Sequence, residues 1–406
     1  MAANDQAALE ALALKLHGLA LFRGVLAEDV PARLLAVLDN LDAADARGRI
    51  DRYCAFVAAV YAAGGDWGRH LLRLVLESDN PAVRQKARGE VLPAEMAACL
   101  LSELAVLQQA AALDAESLQA AVAADIALPG FASTQQDFET EYTRRLAAVA
   151  TEGYGIFASH HMFTLGAGST LAPVKNPDSQ KLEDLTGYER ERGQVVLNTR
   201  ALLKGLAASN ILLYGDAGTG KSSTVKAIAN AFCGEGLRLV EVRKNQLYQI
   251  PLLMDSLADN PLKFILFIDD LSFPADDADF TALKAILEGN ISARPQNIVV
   301  YATSNRRHMV KEHFADRAGG EVNLGDTLEE MSSLSARFGL TITFLKPDRE
   351  LYIDIVCRLA SELALALPKD ELIARAEAHA LRYGGRSGRT ARQFVEIMRA
   401  EQDVGR

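Results

Sequence analysis

The run Gly215-Asp216-Ala217-Gly218-Thr219-Gly220-Lys221-Ser222 carries the strongest chemical signal in the chain. It fits G-x-x-x-x-G-K-[ST], a loop whose glycines let backbone N–H groups converge on phosphate oxygens. A helix that starts at such a loop adds the partial positive charge of its N-terminus. In this pattern Lys221 meets the β- and γ-phosphates of a nucleoside triphosphate, and the Ser222 hydroxyl joins the shell of a magnesium ion. Ser223 carries the loop into the helix. The pattern has this meaning only between a strand and a helix. Ile211-Leu212-Leu213-Tyr214 reads as a buried parallel strand, and 223–232 has apolar residues at helical spacing.

Two more strand ends suit the same chemistry. Phe264-Ile265-Leu266-Phe267-Ile268 ends in Asp269-Asp270. A buried strand that delivers a carboxylate beside a phosphate loop puts that acid in the magnesium shell, the role expected of Asp269. Asp270 comes next and is expected to orient and polarise the attacking water. Ile298-Val299-Val300-Tyr301-Ala302 leads into Thr303-Ser304-Asn305. The Asn305 amide is suited to hydrogen-bond the γ-phosphate or the same water.

These groups need a scaffold that brings three strand ends together. Strands are expected over 211–214, 237–242, 264–268, 298–302 and 340–344, alternating with helices over 188–206, 222–232, 252–257 and 282–287. That order predicts a parallel sheet covered on both faces, with ligand at the carboxyl ends of the strands. The expected domains are an all-helical region over 1–150, a connecting segment over 151–180, an αβ nucleotide-binding domain over 181–345 and an α-helical lid over 346–406. In the first region Ala and Leu recur at helical spacing. Its breaks fall at Asp29-Val30-Pro31, Gly64-Gly65-Asp66, Asp79-Asn80-Pro81, Leu92-Pro93 and Pro129-Gly130. In the connecting segment His160-His161 lies among aromatic and apolar residues without acids or cysteines at ligand spacing. Packing is expected there rather than a metal.

Composition narrows the function. The net charge of −10 argues against electrostatic coating of nucleic acid, and residues 1–150 hold 20 acidic against 13 basic side chains. The four cysteines, Cys54, Cys99, Cys233 and Cys357, are isolated and are expected to be free thiols. No basic leader opens the sequence and no apolar run reaches membrane-spanning length, so a cytoplasmic protein is expected.

Taken together, the motifs resemble an AAA+ ATPase, close to a bacterial AAA+ family of unknown function near the replication-initiator and helicase-loader branch. The residues behind the resemblance are Gly215 to Ser223, Phe267-Ile268-Asp269-Asp270-Leu271-Ser272-Phe273, and Tyr301-Ala302-Thr303-Ser304-Asn305-Arg306-Arg307-His308. Arg337-Phe338-Gly339-Leu340 and Gly385-Arg386-Ser387-Gly388-Arg389-Thr390-Ala391-Arg392-Gln393-Phe394 complete the set. The likeness covers roughly 153–401. It implies an AAA+ P-loop fold, an αβ parallel sheet with a small helical lid. It also implies that Arg337 is an arginine finger reaching a neighbouring subunit's γ-phosphate, although Ala336 stands where the family more often has Asp. In the lid it implies a nucleotide-sensing arginine, first Arg392, with Arg389 as its rival.

The function implied is magnesium-dependent ATP hydrolysis coupled to conformational work on a protein or nucleoprotein partner, in a homo-oligomer with active sites between subunits. Adenine over guanine is likewise implied by the resemblance, and no guanine-reading N-K-x-D motif appears in the sequence. The helical first region reads equally as a docking domain for that partner or as a cap. One alternative is a helicase-loader-like factor that binds single-stranded DNA under ATP control. Arg306, Arg307 and the lid arginines are the only hint of the basic groove it needs. Another is a metabolic P-loop kinase, but no second-substrate motif is visible.

Overall fold

The apolar and helical periodicities resolve, in a computed structural model, into two compact units, Met1–Ser159 and His160–Arg406. The structure describes residues 2–122, 126–271, 283, 286–287, 295–305 and 336–404. Ser272, Phe273, Arg306, Arg307, His308 and most of the helix expected over 282–287 lie outside the described residues.

The first unit is helical throughout its described residues, apart from short connections. Its main helices are Ala2–His17, Asp29–Leu38, Ala46–Ala62, Trp67–Glu77, Pro81–Ala87, Ala94–Ala111, Ala115–Val122 and Phe138–Ala147. Five of them start on a side chain that accepts an orphan backbone N–H: Asp45 from Arg47, Asp66 from Arg69, Asn80 from Val83, Asp114 from Ser117 and Asp137 from Thr140. Such caps are worth about 1 kcal/mol each and explain why the helices begin at these polar residues. Phe22, Tyr53, Phe56, Trp67, Phe138 and Tyr142 fill the core. One acid is buried among them. Glu103 accepts from the N–H groups of Ala20, Leu21 and Phe22 at 2.7–3.1 Å. Among the described residues no single helix is long and apolar enough to cross a membrane.

The second unit is built on seven described strands: β1 Met162–Leu165, β2 Leu171–Pro173, β3 Ile211–Gly215, β4 Leu237–Glu241, β5 Lys263–Ile268, β6 Ile298–Asn305 and β7 Leu340–Phe344. Their order is β2-β1-β4-β5-β6-β3-β7. All neighbours are parallel except β1 and β2. The glycine-loop strand β3 therefore lies between β6 and β7, and the acidic strand β5 is one strand further off. Ile211, Leu213, Ile265, Phe267, Val299 and Tyr301 pack with the helices Glu189–Leu203 and Lys221–Phe232 on one face. The alternate residues Leu212, Leu266 and Val300 are buried as well, so both faces are covered.

Two sequence expectations are changed. The connecting segment over 151–180 contains β1 and β2, which extend the sheet; Met162, Phe163 and Leu165 are buried. Strands of four and three residues are too short to show a period in the sequence. β6 also runs three residues past the expected strand end at 302, so Thr303, Ser304 and Asn305 are strand residues. Beyond the sheet, Arg349–Glu362, Lys369–Arg382 and Gly388–Val404 form a small three-helix lid around Tyr352, Val356, Leu372, Phe394 and Val395.

Candidate functional site

Gly215 ends β3 where β7 comes closest. A Cβ placed on it would lie 2.0 Å from the Phe344 carbonyl oxygen, and its φ is +139°. The chain turns at that point. The Asp216 N–H donates to Phe344 O (3.1 Å), and Asp216 Oδ2 accepts from the Lys346 N–H (3.0 Å). The Thr219 hydroxyl closes the loop on Asp216 O (2.9 Å). Ala217 and Gly218 form its crest beneath the lid, where the Arg389 N–H donates to Gly218 O (3.3 Å). Gly220, in the left-handed region, caps the helix Lys221–Phe232, whose N-terminus therefore faces the loop.

Lys221 is only 6 % exposed. Its Nζ donates to Gly215 O (3.1 Å), Asp216 O (2.7 Å) and Asn305 Oδ1 (3.0 Å). Burial pushes its pKa below the usual lysine range. The carboxylates of Asp216, Asp269 and Asp270 oppose that shift, and Arg389 adds to it. Ser222 Oγ donates to Asp269 Oδ1 at 2.6 Å.

The ends of β5 and β6 are stitched together residue by residue. The Asp270 N–H donates to Thr303 Oγ1 (2.9 Å), and Thr303 Oγ1 donates to Asp269 Oδ1 (2.5 Å). The Leu271 N–H donates to Thr303 O (2.7 Å), and Ser304 Oγ donates to Leu271 O (2.7 Å). Asn305 Nδ2 donates to Asp270 Oδ1 at 2.6 Å, so Asn305 bridges Lys221 and Asp270. Asp270 itself adopts a left-handed backbone, φ +53°, which Asp tolerates better than most side chains.

These groups line a cavity of about 670 Å³. Ala217 through Ser223, Asp269, Asp270, Thr303 and Asn305 form its polar end. Gln180, Asp184, Leu185, Thr186, Tyr188 and Arg192 form a second wall, and Ile355, Leu359, Arg389 and Arg392 of the lid form a third. The second wall is fixed at Tyr188, whose hydroxyl donates to Leu345 O (2.6 Å) and whose ring packs on Phe344. Burial and nearby acids raise the Tyr188 pKa far above the usual tyrosine range.

Of the residues expected from sequence, Ala217 to Ser223, Asp269, Asp270, Asn305, Arg389 and Arg392 are brought to this cavity, with Gly215 and Asp216 at the base of the loop. Both lid arginines are present, but Arg389 is the one whose backbone touches the loop. Arg337 is elsewhere. It precedes β7 on the side where Leu340 pairs with Ile211, four residues before the Gly215 end. At about 3.3 Å per residue that is roughly 13 Å of strand away from the loop. Sequence reading missed the 180–187 part of the second wall, because irregular backbone has no period, did not assign Tyr188 or Arg192 of the expected helix to the site, and passed over Thr303 in favour of the amide two residues later.

A family model described as "Protein of unknown function (DUF815)" matches residues 158–402. No curated protein matches the chain. Solved structures of Thermotoga maritima RuvB are similar in fold. One, titled a Holliday junction branch migration motor, has 18 % identity, a TM-score of 0.40 and covers 56 % of this chain and 66 % of its own. A single-site mutant of the same protein has 17 % identity and a TM-score of 0.39 over the same shares. This chain thus spans just under two thirds of the RuvB chains. Its second unit is a mostly parallel seven-stranded αβ sheet with a glycine loop after β3, and the match over 158–402 shows that the chain belongs to the DUF815 family.

Proposed function

We propose that this chain binds ATP with magnesium and hydrolyses it to ADP and phosphate. One observation carries the reading: Lys221 with Ser222, Asp269 with Asp270, Asn305 and Arg389 reach one cavity of about 670 Å³ from four separate segments. That volume is in the range of small-molecule sites. The loop amides and Lys221 hold the β- and γ-phosphates. Burial disfavours the charged form of Lys221, and an added anion beside it favours that form, which is what a phosphate supplies.

The donors fit magnesium. Ser222 and Asp269 offer hard oxygen ligands only 2.6 Å apart, and Asp269 Oδ2 makes no hydrogen bond among the described residues. The ion, when bound, neutralises charge on the β- and γ-phosphate oxygens. Asp270 accepts a hydrogen bond from the attacking water and turns its oxygen toward the γ-phosphorus, as the bond to the β-phosphate oxygen breaks. Asn305 fixes the Asp270 carboxylate. Arg389 meets the γ-phosphate from the lid, ahead of Arg392, because its backbone already contacts Gly218. Leu185, Ile355 and Leu359 give the base an apolar seat.

Arg337, remote from its own loop, acts on the site of a neighbouring copy, so the active form is a homo-oligomer. Turnover changes the lid and drives conformational work on a protein partner held by the helical unit. The single-stranded DNA reading rests on Arg306 and Arg307, which lie outside the described residues, and on the lid arginines.

Asp270→Asn tests the assignment of the acids. Asn accepts the left-handed backbone at this position as Asp does. The variant is expected to bind ATP with an affinity within about threefold of wild type and to lose at least about 100-fold in turnover. Equal losses in binding and turnover would show that the roles of Asp269 and Asp270 are misassigned.

A further inference from the structure

We propose that Thr303 is a positioning residue for both acids of the site, acting through a single buried hydroxyl. The inference rests on the ATPase reading above and adds a residue to it. Thr303 is 2 % exposed and sits on β6 two residues before Asn305, so the two side chains leave the same face of the strand. A hydroxyl has one proton to give and two lone pairs to accept with. Here both capacities are used at the site: the proton goes to Asp269 Oδ1 at 2.5 Å, and a lone pair takes the Asp270 N–H at 2.9 Å.

The consequences differ for the two acids. Asp269 Oδ1 receives Ser222 Oγ at 2.6 Å, Thr303 Oγ1 at 2.5 Å and the Asp270 N–H at 3.1 Å. When Ser222 turns to a metal, Thr303 is the side-chain donor that remains to hold the carboxylate in place. This is the second layer of hydrogen bonds that metal-binding carboxylates depend on. At Asp270 the hydroxyl pins the backbone N–H of a residue whose φ is +53°, a conformation that persists only where its surroundings enforce it. Asn305 fixes the Asp270 side chain and Thr303 fixes its backbone, so the carboxylate is held from both ends. A valine at this position has nearly the same shape and offers neither bond.

The test compares wild type, Thr303→Val and Thr303→Ser in the full chain. Readouts are the kcat and KM for ATP, the magnesium concentration for half-maximal turnover, magnesium-dependent binding of a fluorescent ATP analogue, and thermal unfolding. Thr303→Val is expected to lower kcat by about 10- to 100-fold, to raise the magnesium requirement several-fold and to leave KM within about threefold. Thr303→Ser, which keeps the hydroxyl, should recover most of the kcat and the magnesium response. Wild-type kcat and magnesium dependence in Thr303→Val would overturn the proposal. So would a serine variant as impaired as valine, with both melting early, because that pattern marks a packing role only. If wild type binds the analogue with magnesium but hydrolyses no ATP, the ATPase reading falls separately. The proposal is then decided by binding alone: magnesium must tighten the analogue for wild type and serine but not for valine, and equal tightening in all three overturns it. A wild type that binds no nucleotide overturns both.

Discussion

Gly215 has no chemistry of its own, yet the geometry of the phosphate loop starts from it. Any side chain there would meet the Phe344 carbonyl at 2.0 Å, and its φ of +139° is closed to other residues. Gly215→Ala is therefore expected to push β3 from β7, to destabilise the chain by about 3 kcal/mol or more, and to weaken nucleotide binding with it. Denaturant unfolding measures the first and titration with ATP the second. Unchanged stability would mean that the two strands tolerate a separation the contact forbids. Lys221, by contrast, is a residue whose loss should be felt at the ligand more than in the fold. Its three acceptors are two loop carbonyls and the Asn305 amide.

At the scale of elements, stability in the helical unit depends on one buried acid. Glu103, on the helix Ala94–Ala111, collects three consecutive N–H groups from the turn that follows the first helix. Glu103→Ala leaves those donors without a partner and is expected to cost about 3 kcal/mol in chemical denaturation, against about 1 kcal/mol for an exposed acid such as Glu95 at most. Equal costs at the two positions would contradict the clamp. Nothing in the sequence marks Glu103, because it stands in an Ala- and Leu-rich helix where any acid reads as surface. The same limit explains what was and was not legible elsewhere. Strands β3, β4, β5, β6 and β7 were readable as apolar runs, and the first of them ends in Gly215, the third in Asp269-Asp270 and the fourth in the polar Thr303-Ser304-Asn305. Helix starts were readable at the breaks that hold Asp66 and Asn80, whereas the caps at Asp45 and Asp137 were not picked out. The β1 and β2 pair and the 180–187 part of the cavity wall were not, since their places are fixed by contacts far apart in sequence, such as the pairing of β1 with β4 and the bond of Tyr188 to Leu345. Thr303 lay in plain view at a strand end, but its value comes from a hydrogen-bond partner on another strand.

For the whole molecule, the placement of Arg337 separates an ATPase that works alone from one that works in an assembly. It lies at the end of the sheet away from its own loop, next to the buried Phe338. A finger in trans is worth on the order of 10³–10⁵ in rate. Arg337→Ala should bind ATP normally and turn over slowly. Mixed with Lys221→Ala chains, which keep the arginine, it should regain activity at the mixed interfaces, and wild-type specific activity should rise with concentration. Activity per chain that is flat on dilution, with no recovery on mixing, would remove Arg337 from catalysis. All of this presumes that the loop binds a nucleoside triphosphate, and titration calorimetry of the full chain with ATP and magnesium tests that claim most directly. The account predicts saturable binding by wild type and a loss of at least about tenfold in affinity for Lys221→Ala, as expected when a buried cation is taken from a phosphate. Absence of saturable binding by wild type, or identical isotherms for the two proteins, would contradict it.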